Sequence, residues 1–212
     1  MASEVDICNL ALARLGDKAT VATIDPPEGS AQAEHCARFY PIARDSLLEA
    51  HAWKFATRRT MLAELVHETW NWSFAYAAPT GAIRLLAVLP ASACSDADTV
   101  DYETETDAAG TALIFTNLEQ ASVRYIARVT DTTKYSPMFV DALAMLLASH
   151  LAGPVVKGDA GVKMSRACYE TFRLLYSQAI ESDANQHQVT SSHNPDWIAV
   201  RGGLPAAPSW GR

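Results

Sequence analysis

The segment WNWSFAYAAPTGAIRLLAV, residues 70–88, decides how the middle of the chain is read. Trp70, Trp72, Phe74 and Tyr76 stand at alternate positions, which is the period of an extended strand. Pro79 and Gly81 then mark a turn, and AIRLLAV resumes an apolar run. Four aromatics on one side of a strand could form an exposed platform on which bases or sugars stack. Such a platform needs cations nearby, and WNWSFAYAAP holds no Lys or Arg. Asn71, Ser73 and Ala75 on the other side are small or polar, as on a half-solvated strand. The expectation is therefore a core strand spanning WNWSFAY.

Outward from this point the β reading spreads in both directions. FATRRTMLAEL, TVDYETET, TALIFT and ASVRYIARV carry strand composition, separated by turn residues such as Pro90 and Gly110. In ASVRYIARV, Val123, Tyr125 and Ala127 fall on one face and Arg124, Ile126 and Arg128 on the other. Short connections between successive strands favour an antiparallel meander or small barrel over βαβ units. This β insertion is expected over about residues 55–130.

Helical periodicity flanks it. Ser3 caps an expected helix 3–15 striped by Val5, Cys8, Leu12 and Leu15, ended by Gly16. Pro26-Pro27 and Gly29 interrupt the chain before Ser30, which caps a helix over 30–52 striped by Cys36, Tyr40, Ala43, Leu47 and Ala50, with Pro41 predicting a kink. Ser136-Pro137 opens a helix over 137–152, which Gly153-Pro154 is expected to stop. GPVVKGDAGVK then reads as a connection to a last helix over 162–184. That helix carries one stripe of Met164, Cys168, Phe172, Leu175 and Ala179 and a second of Tyr169, Tyr176 and Ile180. One stripe suffices to bury a helix on its own domain. The second fits either contact with a neighbouring copy, through Tyr169, Tyr176 and Ile180, or burial by the same chain.

The expected fold is α+β: mainly a helical bundle with an inserted antiparallel β subdomain, one domain over residues 1–184, and an extended C-terminal tail over 185–212. The tail lacks periodicity and aliphatic bulk, with three prolines and three glycines, and cannot build a core. It nevertheless holds Trp197, Ile198, Arg201, Trp210 and Arg212, residue types that anchor interfaces. A docking tail and a tail with incidental aromatics are both open.

Composition bounds the function. The chain has 212 residues, 49% hydrophobic and 19% charged, as a globular domain has. No apolar run approaches the roughly 18 residues of a membrane span, and the acidic, periodic N-terminus is not a signal peptide; a cytosolic protein is expected. The net charge of −7 disfavours a protein that grips nucleic acid. Cys8, Cys36, Cys94 and Cys168 lie far apart and read as small buried thiols, without metal-ligand spacing. His35, His51, His67, His150, His187 and His193 form no ligand motif, and His51 and His150 sit where a histidine caps a helix end. SDADTVDYETETD fails as a calcium loop, because Asp101 and Asp107 stand where glycine and a bidentate glutamate belong. No nucleophile motif is present. The residues point to no catalytic site, metal or cofactor.

The order of blocks carries a resemblance. YPIARDSLLEAHAWKFATRR, FAYAAPTGAIRLLAV, DYETETDAAGTALIFTN and VRYIARVTDTTKYSPMFVDALAMLLASHLAGPV, between Ile7 and about Ala184, together resemble the head-to-tail adaptors of short-tailed bacteriophages, the tail tubular protein A-like family. The resemblance implies a structural virion protein with neither catalytic residue nor cofactor. It implies a twelve-subunit ring below the portal protein, joining capsid to the tail nozzle protein, assembled in the host cytoplasm and resident in the virion neck. Genomic DNA would pass through its lumen non-specifically, and no membrane is involved. The portal, or a neighbouring subunit, would then be the partner of the tail anchors. A subunit of another ring assembly and a small hydrolase with a spatially formed site are the alternatives.

Overall fold

The computed structural model describes residues 2–18, 20–68, 70–93 and 95–186. Along these the order is α1 (Glu4–Arg14), α2 (Ala31–Ala50), β1 (Thr57–Met61), β2 (Glu64–Leu65), β3 (Phe74–Ala77), β4 (Ala82–Pro90), β5 (Tyr102–Thr106), β6 (Ala112–Thr116), β7 (Ala121–Ala127), a 3-10 turn at Thr132–Lys134, α3 (Pro137–Val156) and α4 (Gly158–Ala184). The protein is α+β, with its strands antiparallel and set between α2 and α3.

Local chemistry starts each of the first three helices. Ser3 accepts from the Asp6 amide at 3.1 Å while Asp6 accepts from the Ser3 amide at 2.8 Å, a reciprocal cap. Ser30 and Ser136 accept from Ala33 and Phe139, each at 3.2 Å, and Pro137 begins α3 where no amide partner is needed. Pro41 lies inside a continuous α2.

The boundary between α3 and α4 corrects the sequence reading. Gly153 and Pro154 do not stop α3, which runs on to Val156, and α4 begins at Gly158 rather than 162. A proline this near the C-terminal end forfeits a single bond, to the His150 carbonyl, and the last turn survives it. The expected connection shrinks to Lys157, whose φ of 60° reverses the chain. Immediately beyond it α3 and α4 come close at Gly161, where an added Cβ would lie 2.9 Å from the Ala152 carbonyl oxygen.

A single strand order also gives way to two sheets. One runs β1-β7-β4 and the other β2-β3-β6-β5, so only β5–β6 and β2–β3 follow one another as a meander would. The sheets face each other across Tyr76, Val88, Ile114, Ala121, Val123, Tyr125 and Ala127. The alternation expected of β7 holds: Val123, Tyr125 and Ala127 enter that cluster, while Ile126 on the reverse face joins the helical core. One strand thus seats two cores.

The helical core centres on α3. Phe139, Leu143, Leu147 and Leu151 are fully buried beneath α1, α2 and α4. This helix is long and apolar enough, by length and composition, to cross a membrane, which corrects the expectation that no apolar run approaches that length. Most of its apolar window is buried inside the protein, where it packs as a core helix does.

Candidate assembly surfaces

The opening segment behaves differently along its length. β3 takes only Phe74–Ala77; Trp70 sits in a turn at φ 50° and is 79% exposed, so it belongs to no strand. Tyr76 is buried and its hydroxyl donates to the Leu118 carbonyl at 2.7 Å. Trp72 lies against Ala75, Leu113 and Phe115, and its indole donates to Glu103 at 2.9 Å. Ala75 is therefore buried rather than half-solvated, because Trp72 folds over the outer face of β3 and makes a second small apolar cluster there. Tyr76 is the core residue expected of this segment, and Trp70 is not.

Where the helices meet the sheets, aromatic rings from distant segments converge. Trp53 packs edge-on to Phe139 at 5.0 Å and Phe55 to the same ring at 5.0 Å. Tyr135 lies 4.8 Å from Phe139, and its hydroxyl donates to Val129 at 2.6 Å. Burial pushes the Tyr135 phenol up to about 12. Trp53, fully buried, donates its indole N–H to the Leu47 carbonyl at 2.8 Å. This knot fixes the chain as it leaves α2 for β1.

The far end of α4 is tied to the same place. Asp183, only 6% exposed, accepts from the Lys54 amide at 3.2 Å and stands 3.4 Å from His51 Nε2. Lys54 Nζ donates to the Ala184 carbonyl at 3.0 Å. His51 stands at the C-terminal end of α2, but its ring turns to Asp183 and Trp53 instead of capping helix carbonyls, and His150 lies inside the lengthened α3 and stacks on Phe39. The Asp183 clamp was not read from the sequence, although a signal existed. Cys168, Phe172, Ala179 and Asp183 continue one stripe, and a carboxylate on an apolar stripe requires a buried partner.

The second stripe of α4 divides. Tyr176 and Ile180 pack against the helical core of their own chain. The Tyr176 hydroxyl donates to the Ala50 carbonyl at 3.0 Å, its ring stacks on Phe172, and burial raises its pKa. Tyr169 is different: half exposed, it borders an open groove with Ser149, Ser165, Arg166 and Glu170. Val162 and Leu174 are also exposed on α4. Of Tyr169, Tyr176 and Ile180, only Tyr169 offers a ring to a neighbour without disturbing the fold.

Trp197, Ile198, Arg201, Trp210 and Arg212 lie outside the described residues. Cys8, Cys36 and Cys168 are free and buried. Among the described residues, no group of three or more His, Cys, Asp or Glu side chains is placed to hold a metal ion. No protein-family model matches the chain, and no curated protein matches it.

Proposed function

We propose that this chain is a ring-forming head-to-tail adaptor: a structural subunit that stacks beneath a portal, joins it to a tail and continues a DNA channel. One observation carries the reading. The blocks that resemble the adaptor family, far apart in sequence, supply the rings of the aromatic knot: Trp53 and Phe55 after α2, Tyr135 and Phe139 at the start of α3. Ile126, from the Arg-Tyr-Ile strand, joins the same core. The helical part thus resembles a bundle carrying an inserted β subdomain, as the adaptor family implies.

The acidic balance supports the conduit role, since a surface with few phosphate-binding cations lets DNA slide. Trp197, Ile198, Arg201, Trp210 and Arg212 supply the anchors for the portal, and Tyr169 a contact between subunits. The test is co-sedimentation with a cognate portal ring. Because Asp183 and the Ala184 carbonyl secure α4, the informative truncation removes residues 187–212 and spares both. It should leave the circular dichroism spectrum and Tm unchanged and abolish stable attachment, since buried Trp and Arg anchors cost roughly 2 kcal/mol or more each when lost. Equal attachment of the full and shortened chains would overturn the docking role of the tail, and a full chain that ignores portal would overturn the adaptor reading.

A further inference from the structure

Two sheet edges carry opposite charge. β1 is an outer strand of the first sheet and reads Thr-Arg-Arg-Thr-Met; β5 is an outer strand of the second and reads Tyr-Glu-Thr-Glu-Thr. Both have five residues, and in each the last four are exposed. Arg59 is held to Asp96, and Glu103 takes the Trp72 indole. The side chains of Arg58 and Glu105 have no hydrogen-bond or ion-pair partner among the described residues.

The backbone register says which groups face outward. Leu62 N–H bonds to Ala121 and Ala127 N–H to Ala56, so by the alternation of an antiparallel ladder Arg58 and Thr60 point their amides inward to β7. Arg59 and Met61 are left pointing outward. On β5, Asp107 N–H bonds to Thr111, so Glu103 and Glu105 face β6, while Tyr102, Thr104 and Thr106 point outward. Unpaired outer strands invite pairing.

We propose that β5 of one copy pairs antiparallel with β1 of the next, joining their sheets head to tail. Setting Arg59 opposite Thr104 matches outward groups with outward groups. The same register sets the free Arg58 opposite the free Glu105, and Met61 beside Tyr102. A parallel pairing would set residues that bond outward opposite residues that bond inward, so Arg58 would stand opposite Tyr102, Thr104 or Thr106 and lose Glu105. Like edges repel: β1 against β1 brings arginines together, β5 against β5 brings glutamates together, and the unlike pair remains. A contact between two different surfaces of one chain is heterologous and generates a ring when its rotation closes. A five-residue edge is small beside a stable interface, so closure, which holds each copy at two edges, is what makes the assembly persist.

The inference rests on the ring reading but not on the portal. The test uses the full chain, Arg58→Glu, Glu105→Arg, and the chain carrying both, followed by sedimentation velocity and electron microscopy. Both side chains are exposed and unpartnered, so circular dichroism should match the parent in every variant, and so should Tm on protein dilute enough to be dissociated. Each single reversal should weaken self-association about tenfold or more, since an opposite-charge cross-strand pair becomes a like-charge one. The chain with both reversals restores opposite charges at every contact and should assemble as the parent does. Single variants that assemble normally, a doubly reversed chain that stays apart, or a parent that remains monomeric at high concentration would each overturn the proposal. Assembly through these edges without portal attachment would sink the adaptor role alone, and portal attachment by rings indifferent to the reversals would sink the edge pairing alone.

Discussion

Gly161 is where two physical effects of opposite sign meet on one residue. On helix propensity alone, alanine there would stabilise α4 by about 1 kcal/mol. Yet its Cβ would stand 2.9 Å from the Ala152 carbonyl oxygen, a backbone atom that moves only if α3 moves with it. Overpacking of that kind costs about 1–3 kcal/mol, so the steric term should win. Gly161→Ala is expected to lower Tm, read by thermal circular dichroism, and a raised Tm would mean that the helices part easily. Nothing in GDAGVK distinguishes this glycine from a loop glycine, because its constraint comes from a carbonyl nine positions back in sequence, on another helix. Asp183 is the opposite case, a residue whose place on an apolar stripe announces its burial.

Among the elements, the β5–β6 hairpin has its own internal support. The carboxylate of Asp107 accepts from the Thr111 and Ala109 amides, each at 2.8 Å. The Thr111 amide first, then Ala109, holds its pKa below the ordinary aspartate value. Its stabilising contribution is therefore full above the ordinary carboxyl pKa and disappears as pH falls through the lowered one. Asp107→Asn, which keeps one acceptor oxygen without the charge, should melt below the parent near neutral pH, and the gap should narrow as pH is taken down to about 3. A gap that stays constant across the range would mean that the charge contributes nothing to the turn. Most element types were legible because caps and periodicities are local: Ser3, Ser30 and Ser136 each announce a helix start. The junction of α3 and α4 was not. Gly153-Pro154 signals a stop, but packing of the last turn of α3 beside Gly161 outweighs one lost hydrogen bond.

For the whole molecule, charge sets the expectation toward DNA. At −7 the chain offers few phosphate contacts, and several of its arginines are already committed: Arg44 and Arg128 to Asp45, Arg59 and Arg124 to Asp96. Free duplex should bind no tighter than about 1 μM at physiological salt and without sequence preference. A titration by fluorescence anisotropy checks this, and a tighter, sequence-specific complex would contradict the conduit role. Sequence by itself determined the α+β class, the starts of α1, α2 and α3, the seating of strands between α2 and α3, and the two-faced character of β7, since each follows from residues within a few positions of one another. Tertiary structure alone decided that the strands part into two sheets, that Trp70 leaves the strand that Tyr76 joins, and that Tyr176 and Ile180 turn inward while Tyr169 stays out. It also decided which edges remain open. Those outcomes depend on which distant surfaces find each other, and a two-residue or four-residue period records which face is apolar without recording what will cover it.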